Sequence, residues 1–516
     1  MALLRSGLIV SFMTLISRVL GLVRDVVIAT LVGAGVNADV YFFANRIPNF
    51  LRRLFAEGAF AQAFVPVLTE VKEKHGDDEV RELVAKVAGT LGVIVTLITL
   101  FAVIASPIIV MVFSPGWFLD SLSGGADVGK FEMASVLLKI TFPYLFFITF
   151  VALAGAVLNT YNKFAVAAFT PVFLNIAIIV CAITLRDSFS DPAYALAIGV
   201  FLGGLIQFLF QLPFMAKAGL LVLPKWGWND VYVKRIRILM LPAILGVSVH
   251  QLNALVDTVI ASFLITGSIS WLYYADRLIE FPLGLFGIGI ATVILPSLSK
   301  LHSNDDPQAF QNTIDWAVRF VLMLAFPAMA GLMILGPLII EVLYLHGKFT
   351  PDDAMHVQWA LVAYCSGLMS YMTVKVLAPG YFARQDTKTP VRIGIISMLA
   401  NIVFNFMLAP FFGFVGLAIA TAMSGTLNAA LLYKGLHQQG VYKISRQSLI
   451  WIGKLLLSTA LMGYVVWLSH VNWPLEVTAF SHLLIRLFGL ISIAIVCYFI
   501  ALFSLGFRLR DLKSNF

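Results

Sequence analysis

The sequence predicts an all-α integral membrane protein with fourteen transmembrane helices. Three observations carry that reading. Of 516 residues, 60% are hydrophobic and only 12% are charged, about half the charged share of a soluble domain; mean hydropathy is +0.93. The apolar residues fall in long continuous runs, without the period-2 alternation of a membrane β-barrel. Lys and Arg fall unequally on the two sides of those runs. So few charges cannot cover a water-exposed surface, which excludes a soluble enzyme, a disordered scaffold and a secreted disulfide module.

A span needs about 20 mostly apolar residues. Such runs lie near 7–33, 39–69, 83–113, 133–158, 165–186, 193–216, 238–265, 270–298, 312–344, 354–382, 390–411, 414–436, 448–469 and 483–506. The second is the least apolar, because it holds Arg46, Arg52, Arg53 and Glu57. The first follows Arg5 as a signal peptide would. No small-x-small cleavage site comes after it, so it reads as an uncleaved first helix.

An even number of spans puts both termini on one side. With that side as the cytoplasm, its tails and loops hold nineteen Lys and Arg, and the opposite loops hold three, Lys130, Arg186 and Lys348. This is the positive-inside pattern, so the net charge of +8 is a topology signal and no nucleic-acid partner is expected. The connection near 217–237 mixes Trp226, Trp228 and Tyr232 with lysines and reads as an interfacial segment. Cys181, Cys365 and Cys497 lie in apolar runs as packing residues. The lack of a G-x-x-x-x-G-K-[ST] loop argues against ATP hydrolysis.

An internal repeat organises the chain. Asp25-Val-Val-Ile-Ala-Thr matches Asp257-Thr-Val-Ile-Ala-Ser at an offset of 232, and Ala44-Asn45-Arg46 matches Ala275-Asp276-Arg277 at 231. Pro66 matches Pro296 at 230, and Thr170-Pro171-Val172 matches Thr389-Pro390-Val391 at 219. The matches keep their order. A shift of six spans preserves orientation, so two six-helix lobes are expected, related by a pseudo-two-fold axis along the membrane normal, plus two C-terminal helices. The expected boundaries are 1–222, 223–440 and 441–516. The last pair reads either as an accessory packing face or as a groove for a long lipid tail.

Charges deep in a span are costly and mark function by default. Span 1 holds Arg18, Arg24 and Asp25; span 2 holds Asp39, Arg46, Asn49, Arg52, Arg53 and Glu57; span 8 holds Asp276, Arg277 and Glu280. On a straight helix Arg46, Asn49, Arg53 and Glu57 share a face. Six arginines face five carboxylates across these spans. The acids suit either mutual pairing that holds helices together or substrate contact. The arginines exceed what packing needs, and their planar forks suit bidentate phosphate contact. They read as an anion-binding cavity between the lobes. Lys375 and Glu341 are further candidates, for substrate contact or simple pairing. Asp257, Asn401, Asn405 and Thr421 supply oxygens that could hold a hard monovalent cation such as sodium or simply bond between helices. His250 lies seven residues before Asp257, a conceivable proton relay or a packing residue.

Ser17-Arg18-Val19-Leu20-Gly21-Leu22-Val23-Arg24-Asp25, Ala38-Asp39-x-Tyr41-Phe42 and the run from Arg46-Ile47-Pro48-Asn49 to Glu57-Gly58-Ala59-Phe60 closely resemble the MurJ (MviN) lipid II flippase family. So do Trp271-x-Tyr273-Tyr274-Ala275-Asp276-Arg277-Leu278-x-Glu280 and Lys375-Val376-Leu377-Ala378-Pro379-Gly380. The family belongs to the multidrug/oligosaccharidyl-lipid/polysaccharide exporter superfamily. The resemblance implies fourteen spans in two lobes, a hydrophobic groove beside the last two, and carriage of a lipid-linked peptidoglycan precursor across the bacterial inner membrane. It maps Arg18, Arg24, Arg52 and Arg277 onto essential cavity arginines and Asp39 onto an essential acid. Arg46 stands where some relatives have Lys. The family's sodium site maps to Asp257, Asn401, Asn405 and Thr421, with Asn405 in place of an acid found in some members.

The expected function is therefore flipping of lipid II from the cytoplasmic to the periplasmic leaflet by alternating access. Membrane lipids and the cell-wall synthesis machinery are expected partners, and the membrane potential or a sodium gradient the source of direction. The alternatives are export of another polyprenyl-pyrophosphate glycolipid, or of drugs by the same superfamily. A membrane enzyme on polyprenyl phosphates would want clustered metal-binding acids or histidines, which the sequence does not offer.

Overall fold

A computed structural model describes residues 2–53, 60–125, 128–284, 288–473 and 480–508, and leaves out the side chains of 2–11, 61, 62, 241–243, 245–251, 288, 289 and 291–293. Glu57 and the His250 side chain thus lie outside the described residues. The described chain is helical throughout, without a strand, and it divides into two compact units. One comprises Met1–Ser270 with Gly347–Phe349, the other Trp271–His346 with Thr350–Phe516.

The first unit holds α1 (Ala2–Val32), α2 (Val36–Leu51), α3 (Phe60–His75), α4 (Asp77–Ile104), α5 (Ser106–Phe113), α6 (Pro115–Ser123), α7 (Lys130–Thr141), α8 (Tyr144–Thr160), α9 (Phe164–Phe169), α10 (Pro171–Leu185), α11 (Pro192–Lys217) and α12 (Val231–Ala261). α13 (Ser268–Pro282) begins there and continues in the second unit. The second unit goes on with α14 (Ile288–Ser303), α15 (Pro307–Leu343), α16 (Pro351–Cys365), α17 (Leu368–Phe382), α18 (Lys388–Gln438), α19 (Arg446–Val471) and α20 (Phe480–Ser504).

Among the described residues, eight helical runs are long and apolar enough to cross a membrane, or nine with the bent pair α16 and α17. The 51-residue α18 is one of them. It holds two of the expected spans, because Gly413, at φ 57° and ψ −136°, breaks it near the middle. That backbone conformation favours glycine. The expected spans outside this set are 7–33, 39–69, 238–265 and 270–298. Each carries charged residues.

Several element lengths pair up at a similar spacing. α1 and α12 are each 31 residues long. α2 and α3, of 16 residues each, are echoed by α13 and α14, of 15 and 16. A π-type turn follows α2 at Arg52-Arg53 and α13 at Leu283-Gly284, an offset of 231 in both cases. Such wide turns often mark functional sites in helices.

Lipid tails are as apolar as leucine, so close packing holds these helices together. α10 and α11 show the means. A Cβ on Gly199 would stand 2.8 Å from the Ile178 Cα, and one on Gly203 3.0 Å from the Leu174 Cα. In the first unit, Phe64, Val67 and Val71 are buried in one cluster with Val84, Val87 and Val157. In the second, Leu335, Leu338 and Val342 of α15 pack with Leu455 and Met462 of α19 and Leu490 of α20. α20 leaves Phe488, Ile495, Val496 and Ile500 exposed, as a lipid-facing surface requires.

Candidate functional site

The arginines of the first unit are held in different ways. Arg24 on α1 is half-buried and uses its whole fork. Nε and Nη2 donate to Asp25 Oδ1 at 3.0 and 2.7 Å, and Nη1 donates to Asn175 Oδ1 at 3.1 Å. Asn175 on α10 returns its Nδ2 to the Ser17 carbonyl at 3.2 Å. Asp25 is fully buried. Its partner is the Arg24 guanidinium, and burial of a charged group is costly without such a pair.

Arg46 on α2 donates through Nη1 to Thr258 Oγ1 and, at 3.3 Å, to the Ala254 carbonyl of α12. Both acceptors are neutral, and no carboxylate pairs with Arg46 among the described residues. Arg52, in the π-type turn, donates Nε to Asn49 Oδ1 at 3.0 Å. Arg18 and Arg53 are exposed, and neither has an ion pair or hydrogen bond among the described residues. Arg46 thus turns to α12, and Arg53 is exposed in the π-type turn after α2.

Asp39 is buried near the start of α2, accepts three hydrogen bonds and pairs with one cation. Gly267 N donates to Oδ2 at 2.7 Å; Ser270 N and Oγ donate to Oδ1 at 2.9 and 2.6 Å. Lys130 Nζ stands 3.5 Å from Oδ2. The two backbone contacts satisfy N–H groups at the start of α13, Gly267 just before it and Ser270 in its first turn. The acid's oxygens are thus turned onto protein groups.

In the second unit Arg277 donates Nη1 to Glu280 Oε2 at 2.8 Å, an i,i+3 pair on α13. Asp276 and Lys375 are exposed. Asn401 and Asn405 are buried, one turn apart on α18, and Thr421 spends its hydroxyl on the Leu417 carbonyl at 3.0 Å. Asp257 belongs to the first unit.

Sequence reasoning missed the partners Asn175, Thr258 and Lys130. Asn and Thr in a span are common and uninformative alone. The sequence places Lys130 in a loop, whereas it opens α7 and its side chain is 2% exposed.

Comparison with known proteins gives the family. The family model described as "Lipid II flippase MurJ" matches residues 28–488. The chain is 58% identical to the probable lipid II flippase MurJ of Vibrio cholerae, covering 99% of this chain and 98% of that one. It is 37% identical to the lipid II flippase MurJ of Burkholderia cenocepacia, covering 98% of each. A solved structure titled "Lipid II flippase MurJ, inward closed conformation" matches with TM-score 0.80 at 30% identity, over 98% of this chain and 99% of that one. An inward-facing MATE-family transporter of the MOP superfamily matches at TM-score 0.69 and 12% identity, over 82% of this chain and 94% of that one, which shows a shared fold alone. The resemblance read from the motifs is thereby borne out: the chain belongs to the lipid II flippase MurJ family, multi-pass membrane transporters and not enzymes.

Proposed function

We propose that this chain carries lipid II from the cytoplasmic to the periplasmic leaflet of the bacterial inner membrane. It does so by alternating access, with the pyrophosphate held by arginines in a central cavity. It crosses the membrane fourteen times, in two six-helix lobes related by a pseudo-two-fold along the membrane normal. The last two helices border a groove for the polyprenyl tail, and both termini are cytoplasmic. Relatives named as lipid II flippases match over nearly the whole chain, which supports the substrate.

The observation that carries the mechanism is the state of the guanidinium groups. Arg46 is held by neutral oxygens, and Arg18 and Arg53 carry no ion pair among the described residues. A charge in a span that its neighbours do not neutralise is costly unless a ligand or water meets it. A diphosphate supplies the missing negative charge, and Arg forks suit its oxygens. The polar head crosses inside protein while the tail stays in lipid, so no bond is made or broken. Direction comes from the membrane potential, worth about 2.3 kcal/mol per charge per 100 mV, or from a sodium gradient with Asp257, Asn401, Asn405 and Thr421 as ligands. The cell-wall synthesis machinery supplies the cargo and consumes it.

Depletion of this protein in a living cell tests the reading. Lipid II should then accumulate out of reach of a hydrolase added outside the inner membrane. Unchanged accessibility after depletion would contradict it.

A further inference from the structure

A second polar site lies in the second unit, built from α15, α19 and the chain just past α20. Trp316, Arg319, Phe320 and Met323 of α15, Gln447, Ile450, Trp451 and Lys454 of α19, and Gly506 just past α20 enclose a cavity of about 200 Å³. At about 30 Å³ per water, that space holds roughly six waters or one phosphodiester group. Two cationic side chains enter it. Arg319 Nε stands 3.6 Å from Asp315 Oδ2, but that carboxylate already accepts the hydroxyls of Tyr442, Ser445 and Ser448 at 3.0, 3.0 and 2.7 Å. Lys454 has no ion pair or hydrogen bond among the described residues. It reaches over the chain past α20, where a Cβ on Gly506 would lie 3.6 Å from its Nζ. Trp451 Nε1 is buried and has no hydrogen-bond partner among the described residues. Two cationic side chains and a tryptophan whose N–H has no hydrogen-bond partner among the described residues therefore line a space whose lining includes no acid.

The depth fits a headgroup. Arg319 precedes the end of α15 at Leu343 by 24 residues, about 36 Å of helix, just past a hydrocarbon core of about 30 Å. The cavity sits where α15 and α19 begin and α20 ends, the side that Lys and Arg distribution predicts to be cytoplasmic. Paired tryptophans are at home at that level. Ile450, on the rim, is 56% exposed, and Leu449 and Leu457 beside it are each 59% exposed, so acyl chains have an apolar wall to run along.

We propose that this cavity is a binding site for the phosphate of an anionic phospholipid of the surrounding leaflet, held by Arg319, Lys454 and the Trp451 indole. A free phosphate would share the headgroup chemistry but would have no use for the exposed apolar rim. The site is independent of the cargo reading, since it uses none of the cargo-binding residues.

Native mass spectrometry of the full chain with phosphatidylglycerol, phosphatidylcholine or inorganic phosphate tests it. Phosphatidylglycerol should bind preferentially, and Lys454→Gln should weaken that binding about fivefold, the worth of one basic residue near an anionic surface. Phosphatidylcholine binding should not change, and excess inorganic phosphate should not displace the lipid. Lys443→Gln, an exposed charge on the connection before α19, should bind like wild type. Arg319→Gln also loosens the Asp315 cluster, so Lys454→Gln carries the test, with an unchanged melting temperature as the folding control. The proposal fails if folded Lys454→Gln binds phosphatidylglycerol like wild type, if the two lipids bind alike, or if inorganic phosphate competes with the lipid.

Discussion

Lys130 Nζ stands 3.5 Å from Asp39 Oδ2, and each side chain is only 2% exposed. Around this pair gather the Thr266 hydroxyl, 3.1 Å from Lys130 Nζ, and the Trp117 ring, its centroid 5.3 Å away. The pair joins α2, α7 and the start of α13. Removing one partner of a buried pair leaves the other uncompensated, at a cost of roughly 3–5 kcal/mol. Lys130→Met should therefore lower the melting temperature in nanodiscs more than the double variant Asp39→Asn, Lys130→Met. Strictly additive losses would show that the two groups are not coupled.

Arg24 and Arg46 should respond differently to lysine. Arg24 uses three nitrogens on two acceptors, a fork that an ammonium cannot copy. Arg46 reaches both its acceptors through Nη1 alone. In a complementation assay at matched protein levels, Arg24→Lys should lose at least about tenfold in activity, which corresponds to roughly 1.4 kcal/mol. Arg46→Lys should stay within about twofold, and Arg46→Ala should fall with Arg24→Lys. Equal tolerance of lysine at both positions would remove the distinction.

Asp230 caps α12 and sets a pH dependence. Burial works against its charge. The Lys86 ammonium at 2.7 Å and the backbone N–H groups of Val233 and Tyr232 more than offset that, so its carboxyl titrates below its ordinary 3.8. The folded value is the lower one. Its stabilisation is thus complete above the ordinary value and disappears as pH falls through the folded value. The gap in melting temperature between wild type and Asp230→Asn should be constant at neutral pH and shrink below about pH 3.8. A gap that widened in acid would reverse the sign.

Asp315 ties the connection before α19 and the first turn of α19 to α15 through three hydroxyls. Hydrogen bonds to a charged group contribute about 1.5–3 kcal/mol each. Asp315→Ala strands all three donors, while Tyr442→Phe removes one. Thermal unfolding should show a loss for Asp315→Ala at least about twice that for Tyr442→Phe. Similar losses would mean that the hydroxyls find other partners.

Much of this was legible from residue order. Apolar runs of span length and the 19-to-3 division of Lys and Arg identified a helical membrane protein. The offsets of 230 to 232 match the spacing of the two π-type turns. Less legible was what each charge touches. Arg24 and Asn175 are 151 residues apart, and Arg46 and Thr258 are 212 apart. Nothing local marks such partners. Helix periodicity also placed Arg46 and Arg53 on one face, but the π-type turn at Arg52-Arg53 ends regular α-geometry before the second of them. Asp39 read as one acid among several because its use depends on Gly267, Ser270 and Lys130, which only the folded chain brings to it.

The most direct test of the arginine cavity is a leaflet measurement on variants. Cells depleted of the protein are supplied with wild type, Arg18→Ala or Arg46→Ala at equal membrane levels, and lipid II exposed on the periplasmic face is counted by its cleavage from outside. Wild type should restore exposure, and each alanine variant should leave lipid II in the cytoplasmic leaflet. Full exposure with either variant would contradict the claim that these guanidinium groups hold the diphosphate.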